Sequence, residues 1–181
     1  MKKISLVVLI CSLINSKGFS QTFTLKSNEL SGQATINEVF NGFGCVGKNQ
    51  SPQLTWENAP AGTKSFAITL YDPDAPTGSG WWHWVMFDIP ANISSLASNA
   101  GNVALRLAPL GAVQSKTDFG GVGYGGPCPP EGHGIHQYIL TIYALKTEKL
   151  SLTQDSNPAL VGYNLSANVL QKASLVFYFK R

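Results

Sequence analysis

The sequence predicts a mainly β protein: two stacked, largely antiparallel sheets with one helix ahead of the last strand. Three observations predict it. The apolar residues recur mostly with a period of two, which on a strand places them on one face. Eighteen glycines and ten prolines fall largely between those runs, as turns require. Helical spacing occurs in one stretch, and there is no internal repeat, linker or shift in composition, so residues 21–181 are expected to form a single domain with two packed sheets.

Residues 1–20 are expected to be a secretory signal peptide. Lys2 and Lys3 supply a basic start, an apolar run follows from Ile4 to Ile14, and Gly18 and Ser20 place small residues where a signal peptidase reads, so the cut falls before Gln21. Ile10 is too bulky before Cys11 for a lipid-attachment site. No later segment approaches the roughly 20 apolar residues of a membrane span. The mature protein is thus expected to be exported, periplasmic or secreted, with no transmembrane segment. Of 13 Lys and Arg, three precede residue 21, whereas all 10 Asp and Glu follow it. Such a balanced mature chain lacks the charge that drives binding to nucleic acid, so no nucleic-acid partner is expected.

Short strands are expected near 22–26, 34–36, 54–56 and 112–116. Over 65–71, Phe66, Ile68 and Leu70 share a face, and in the following run Val85, Phe87 and Ile89 are expected to do the same. Longer strands are expected over His136–Leu145 and 173–180. Asn157 followed by Pro158 reads as an N-cap with proline at the first helical position, and Leu160, Val161, Leu165, Val169 and Leu170 extend the helix to Gln171 or Lys172.

The unusual residues collect in Asp72-Pro73-Asp74-Ala75-Pro76, Trp81-Trp82-His83-Trp84, and the stretch from Gly120 to Tyr138, and all three histidines lie in the last two. By alternation, Asp72 shares the face of Phe66, Ile68 and Leu70, His83 that of Val85 and Phe87, and His136 and Tyr138 that of Leu140 and Ile142. If those strand ends meet, a carboxylate, two imidazoles and a phenol converge beneath a glycine and proline rim. The alternative is a turn-forming Asp72, two satisfied core histidines and an ordinary strand tyrosine.

Other chemistries fit less well. Gly121-Val122-Gly123-Tyr124-Gly125-Gly126 matches a dinucleotide fingerprint but runs into Pro127-Cys128-Pro129-Pro130 instead of opening a helix. A zinc site from His83, Asp72, His136, His133 and Cys128 is weakened because His133, three residues from His136, falls on the opposite face unless its loop turns back. No metal and no cofactor is expected. Cys128 lacks a relay that would make it a nucleophile. In an oxidising compartment Cys45 and Cys128 can pair, closing a loop of 83 residues; the other possibility is two separate buried thiols.

Ser51-Pro52-Gln53-Leu54-Thr55-Trp56, Asp72-Pro73-Asp74-Ala75-Pro76, Trp82-His83-Trp84 and Gly126-Pro127-Cys128-Pro129-Pro130 with His136-Gln137-Tyr138 resemble the phosphatidylethanolamine-binding protein family, also called Raf kinase inhibitor-like proteins, in its bacterial branch. The resemblance implies a sandwich with a small anion pocket at one end, lined by Asp72, Pro76, His83, Pro129, Pro130, His136 and Tyr138. It implies a non-enzymatic binding protein for phosphate or a phosphorylated head group, with protonated imidazoles holding the anion. A second reading is an interaction module that inhibits a kinase or hydrolase through a protein partner. The weakest is a hydrolase using Asp72 with His83 or His136, for which the sequence supplies no evident nucleophile.

Overall fold

The computed structural model describes residues 21–181, so the expected signal peptide lies outside the described residues. Strands β1 (Thr24–Lys26), β2 (Leu54–Glu57), β3 (Ser65–Asp72), β4 (Trp81–Pro90), β5 (Ser95–Leu96), β6 (Val113–Gln114) and β7 (His136–Leu145) precede the helix α1 (Pro158–Asn168) and the last strand, β8 (Val169–Phe179). They form two sheets, ordered β1-β2-β5 and β6-β4-β3-β7-β8, with every neighbouring pair antiparallel. Leu54, Trp56 and Leu96 of the smaller sheet pack on Phe66, Ile68, Leu70, Leu140 and Ile142 of the larger. The opposite face of the larger sheet carries Ala67, Val85, Phe87 and Leu145, which Val161 and Leu165 of α1 cover. β3 and β4 are therefore buried on both faces and read as near-continuous apolar runs.

Alternation holds along β3 and β7 but fails in β4, which contains two bulges. Between Phe66 and Ile68 the partner steps from Ile89 to Met86, and the extra residue Asp88 takes a positive φ of 57°. Between Leu70 and Tyr71 the partner steps from Trp84 to Trp82, leaving His83 as the extra residue. Each bulge turns the chain by one face. Ile89 consequently packs between the sheets with Met86 and Trp84, whereas Val85 and Phe87 face the helix. Trp82 also packs on the helix side, while His83 lies against Tyr138. The expected common face of Val85, Phe87 and Ile89, and of His83 with Val85 and Phe87, is thus corrected.

Two further expectations change. No strand forms over 34–36: the Glu38 carboxylate accepts from the N–H and the hydroxyl of Thr35 and closes a turn, leaving only a parallel bridge from Gln33 to Tyr178. The helix starts as expected, with Asn157 Oδ1 accepting the Leu160 N–H at 2.8 Å, but stops at Asn168. Val169, Gln171 and Lys172 instead pair with Leu145, Ala144 and Tyr143 of β7. The continuing β7 ladder outweighs helical spacing there.

Cys45 and Cys128 form a disulfide, their Cα atoms 6.0 Å apart across 83 residues. It joins the loop around Phe40–Gly47 to the proline-rich segment before β7, and the Phe40 N–H donates to the Pro127 carbonyl beside it at 3.0 Å. Gly126 lies so close to the Glu38 carbonyl that a Cβ there would sit 1.9 Å from its oxygen, so only glycine fits. Replacing both cysteines (Cys45→Ser with Cys128→Ser) is expected to lower stability by about 2–5 kcal/mol through the freed unfolded chain. Urea unfolding with unchanged far-UV circular dichroism checks this, and thiol labelling of denatured, unreduced protein should find neither cysteine free.

Candidate functional site

The open ends of β3, β4 and β7 lie together, and the polar group at each end meets the others. Asp72 closes β3 and is buried. Its Oδ1 accepts the Asp74 N–H at 2.8 Å, a local turn bond that sets the direction of Asp72-Pro73-Asp74. Its Oδ2 lies 2.8 Å from Nδ1 of His136, the first residue of β7 and 1% exposed. Asp74 Oδ2 accepts the Gln137 N–H at 2.8 Å, so two acids of one turn hold two successive residues of β7. Asp72 serves both as the turn-forming carboxylate and as a partner for histidine.

His83 is fixed differently. Its Nδ1 lies 2.8 Å from the Gly125 carbonyl, and the Gly125 N–H donates back to the His83 carbonyl at 2.8 Å. A carbonyl only accepts, so Nδ1 carries the proton and Nε2 is the nitrogen left toward the cavity. Burial lowers the His83 pKa from 6.5 to about 4, against the opposing pull of the Gly125 carbonyl and the Asp72 charge. With the site empty, this ring is therefore uncharged at neutral pH. The segment that carries Gly125 is itself held by Asn49, whose Oδ1 accepts the Gly126 N–H at 2.7 Å and whose Nδ2 donates to the Tyr124 carbonyl at 3.2 Å.

Tyr138 is fully buried, its ring packed edge-on to His83 with centroids 5.2 Å apart. Its hydroxyl is itself buried and makes no hydrogen bond of full geometry, with the Asp72 carboxylate close enough to act on it. Burial first, and then the nearby Asp72 charge, pushes its pKa far up, so it remains a donor.

All seven residues predicted for the pocket line one cavity of about 200 Å³: Asp72, Pro76, His83, Pro129, Pro130, His136 and Tyr138. Phe43, Trp81, Phe119, Ala75, Thr77 and Cys128 complete it. The walls are thus mostly aromatic and proline, with polar groups at the floor. Phe119 is the hub of the wall, its ring centroid 5.2 Å from His83, 5.5 Å from Trp81 and 5.7 Å from Phe43. Sequence periodicity could not find Phe43 and Phe119 because both lie in loops. One signal existed for Phe43: pairing Cys45 with Cys128 draws its loop to the rim. A wider groove of about 510 Å³ beside Tyr178 and Ile135 gathers no comparable set of polar groups.

His133 departs from its expected place. Positive φ values at Gly132 and Gly134, 75° and 99°, turn the loop back, and His133 Nδ1 lies 2.8 Å from His136 Nε2. Asp72, His136 and His133 form a continuous chain of hydrogen bonds. Among the described residues, no group of three His, Cys, Asp or Glu side chains is arranged to hold a metal ion.

The lowered His83 pKa has a defined consequence for stability. Between pH 6.5 and about 4 the unfolded chain takes up a proton at His83 that the folded chain refuses. The stability that this residue contributes is therefore complete above pH 6.5 and declines as pH falls toward 4, by at most about 3 kcal/mol. Histidine ¹⁵N chemical shifts should show the Nδ1–H tautomer of His83 persisting to below pH 5; protonation centred near 6.5 contradicts the burial argument.

The sequence profile of the phosphatidylethanolamine-binding protein family matches residues 26–180. The Escherichia coli K12 protein YbcL is 47% identical over 175 residues, 96% of each chain. YbhB of the same strain is 48% identical over 141 residues, 78% of this chain and 88% of that protein. The crystal structure of Escherichia coli YbcL superposes with a TM-score of 0.86 at 50% identity, covering 88% of this chain and 98% of that one. With its two sheets, its strand-end cavity and a profile match over nearly the whole described length, the chain belongs to the phosphatidylethanolamine-binding protein family.

Proposed function

We propose that the protein is an exported, non-enzymatic binding protein whose cavity takes a small anion, a phosphate or a phosphorylated head group. One observation carries this reading: Tyr138, whose buried hydroxyl makes no hydrogen bond of full geometry, lines a cavity together with His83, His136 and Asp72. An orphaned buried donor is costly unless something completes it, and a phosphoryl oxygen does so. Both oxygens of Asp72 are already engaged, which moderates its repulsion of an anion. A cavity of about 200 Å³ is below the range that encloses whole drug-sized ligands, so a head group fits while acyl chains stay outside.

The same lining argues for binding over hydrolysis. Cys128 is tied in the disulfide, and the Thr77 hydroxyl donates to the Gly80 carbonyl. Neither the Cys128 sulfur nor the Thr77 hydroxyl is therefore free to act as a nucleophile beside the Asp72–His136 pair. Export is supported by the leader pattern of residues 1–20 and by the disulfide, which persists in oxidising compartments.

Isothermal titration with phosphoethanolamine near pH 6 tests the pocket. Tyr138→Phe is expected to weaken binding about tenfold or more, since it removes a hydrogen bond to a charged group worth about 1.5–3 kcal/mol, and His136→Ala is expected to weaken it by leaving the Asp72 carboxylate oxygen unpaired beside the anion. Unchanged affinity in both, with circular dichroism intact, refutes the reading. A panel of phosphate and carboxylate esters should show no turnover, and hydrolysis that His136→Ala abolishes would make the protein an enzyme. N-terminal sequencing of protein recovered outside the cytoplasm should begin at Gln21.

A further inference from the structure

The larger sheet ends on β8, and that edge differs from the others of the described fold. A sheet edge offers unpaired N–H and C=O groups to any extended chain, and proteins blunt it by shortness, charge or proline. β1, β5 and β6, which form the other edges, are two or three residues long. β8 has 11 residues, with one lysine and no proline among them. The direction of its free groups follows from the bonds it already makes. The Tyr178 N–H donates to the Gly32 carbonyl and the Ala34 N–H to the Tyr178 carbonyl, each at 3.0 Å, so the Tyr178 backbone points away from β7. The register with β7 runs unbroken from Phe179 to Gln171, and alternation turns the N–H and C=O groups of Val176, Ser174 and Lys172 the same way. Among the described residues none of those groups has a backbone partner, and all three residues are exposed. Gly32 to Ala34 thus show that this edge takes an extended chain, and they occupy it only at Tyr178.

Charge and side chains select the occupant. Residues 156–181 contain Lys172, Lys180 and Arg181 and no Asp or Glu. Glu29 and Glu38, which flank the Gly32–Ala34 segment, are engaged by the Gln53 N–H and by Thr35. Toward the smaller sheet, Ala173 and Leu175 are partly buried at the margin of the core, so an apolar residue set opposite either one extends that core. A residue opposite Lys172 stands on the other, exposed face, where an acid pairs with the ammonium.

We infer that the free edge of β8, from Lys172 to Val176, is a docking site for an extended segment of another protein in which apolar and acidic residues alternate, and that this segment adds to the larger sheet as a further strand. Backbone bonds to the three outward residues supply the affinity, and the two faces supply the selectivity. A second copy of the chain fits less well, because its own β8 brings the same cations and no acid.

The probe is an end-blocked peptide, Glu-Val-Glu-Val-Glu-Val-Glu, N-methylated at its valines so that it pairs along one side only and does not stack on itself. Amide hydrogen exchange, read residue by residue with the peptide at millimolar concentration, should slow about tenfold or more at Lys172, Ser174 and Val176. The amides of Ala173 and Leu175, already turned to β7, should not change. The same peptide N-methylated at its glutamates instead should protect nothing, a comparison that leaves the protein itself unaltered. Lysine in place of glutamate in the peptide is expected to weaken binding about fivefold or more, and Lys172→Glu should reduce that preference. No slowing at the three amides, or equal slowing by both methylated peptides, overturns strand addition. Equal binding of the glutamate and lysine peptides overturns the acidic partner. Sedimentation that shows a dimer whose three amides are protected without peptide gives the edge to a second copy and overturns the inference as well.

Discussion

His83 and Gly125 exchange two hydrogen bonds, the Gly125 N–H to the His83 carbonyl and the His83 Nδ1–H to the Gly125 carbonyl, and the site is organised around that exchange. It ties the glycine-rich segment to the end of β4, and so positions both Phe119 before it and Pro129 and Pro130 after it. It selects the imidazole tautomer. It also depends on the bulge that puts an extra residue in β4 opposite β3. Without that extra residue, alternation would send His83 toward the helix face with Val85, away from Tyr138 and His136.

The floor of the cavity shows how low polarity and polar function are combined. Burial suppresses the charge on His83 and keeps the Tyr138 phenol protonated, and the same dry surroundings strengthen any hydrogen bond a ligand completes there. Asp72 is tolerated because its two oxygens are taken up within the protein, one by the Asp74 N–H and one by His136. The His136–His133 contact extends this network to the exposed loop. The interior of the site is thus linked to solvent through side chains.

Much of this was legible in the sequence, and the failures have physical causes. β3 and β7 carry unbroken alternation, so the facing of Asp72, His136 and Tyr138 followed from counting. β4 looks equally regular, yet bulges at Asp88 and His83 reverse its faces twice, and neither residue type announces a bulge. His83 reaches the site from its place at the strand end, although its face is the opposite of the one alternation predicts. The end of α1 was hidden because Val169 to Lys172 satisfy helical spacing and sheet pairing alike, and β7 decides between them. The loop residues Phe43, Phe119 and His133 have no period to read. They are placed by the disulfide, by packing on His83 and by two glycines with positive φ.

The disulfide also bears on how the site comes into being. Cys45 leaves the ribosome 83 residues ahead of Cys128, an interval of roughly 4 to 17 s at ordinary rates of synthesis. Within residues 21–181 these are the two cysteines present, so that part of the chain has one intramolecular bridge to make and no wrong one. Maturation then calls for a single oxidation and no reshuffling, and an oxidant alone, without an isomerase, is sufficient to lock the rim.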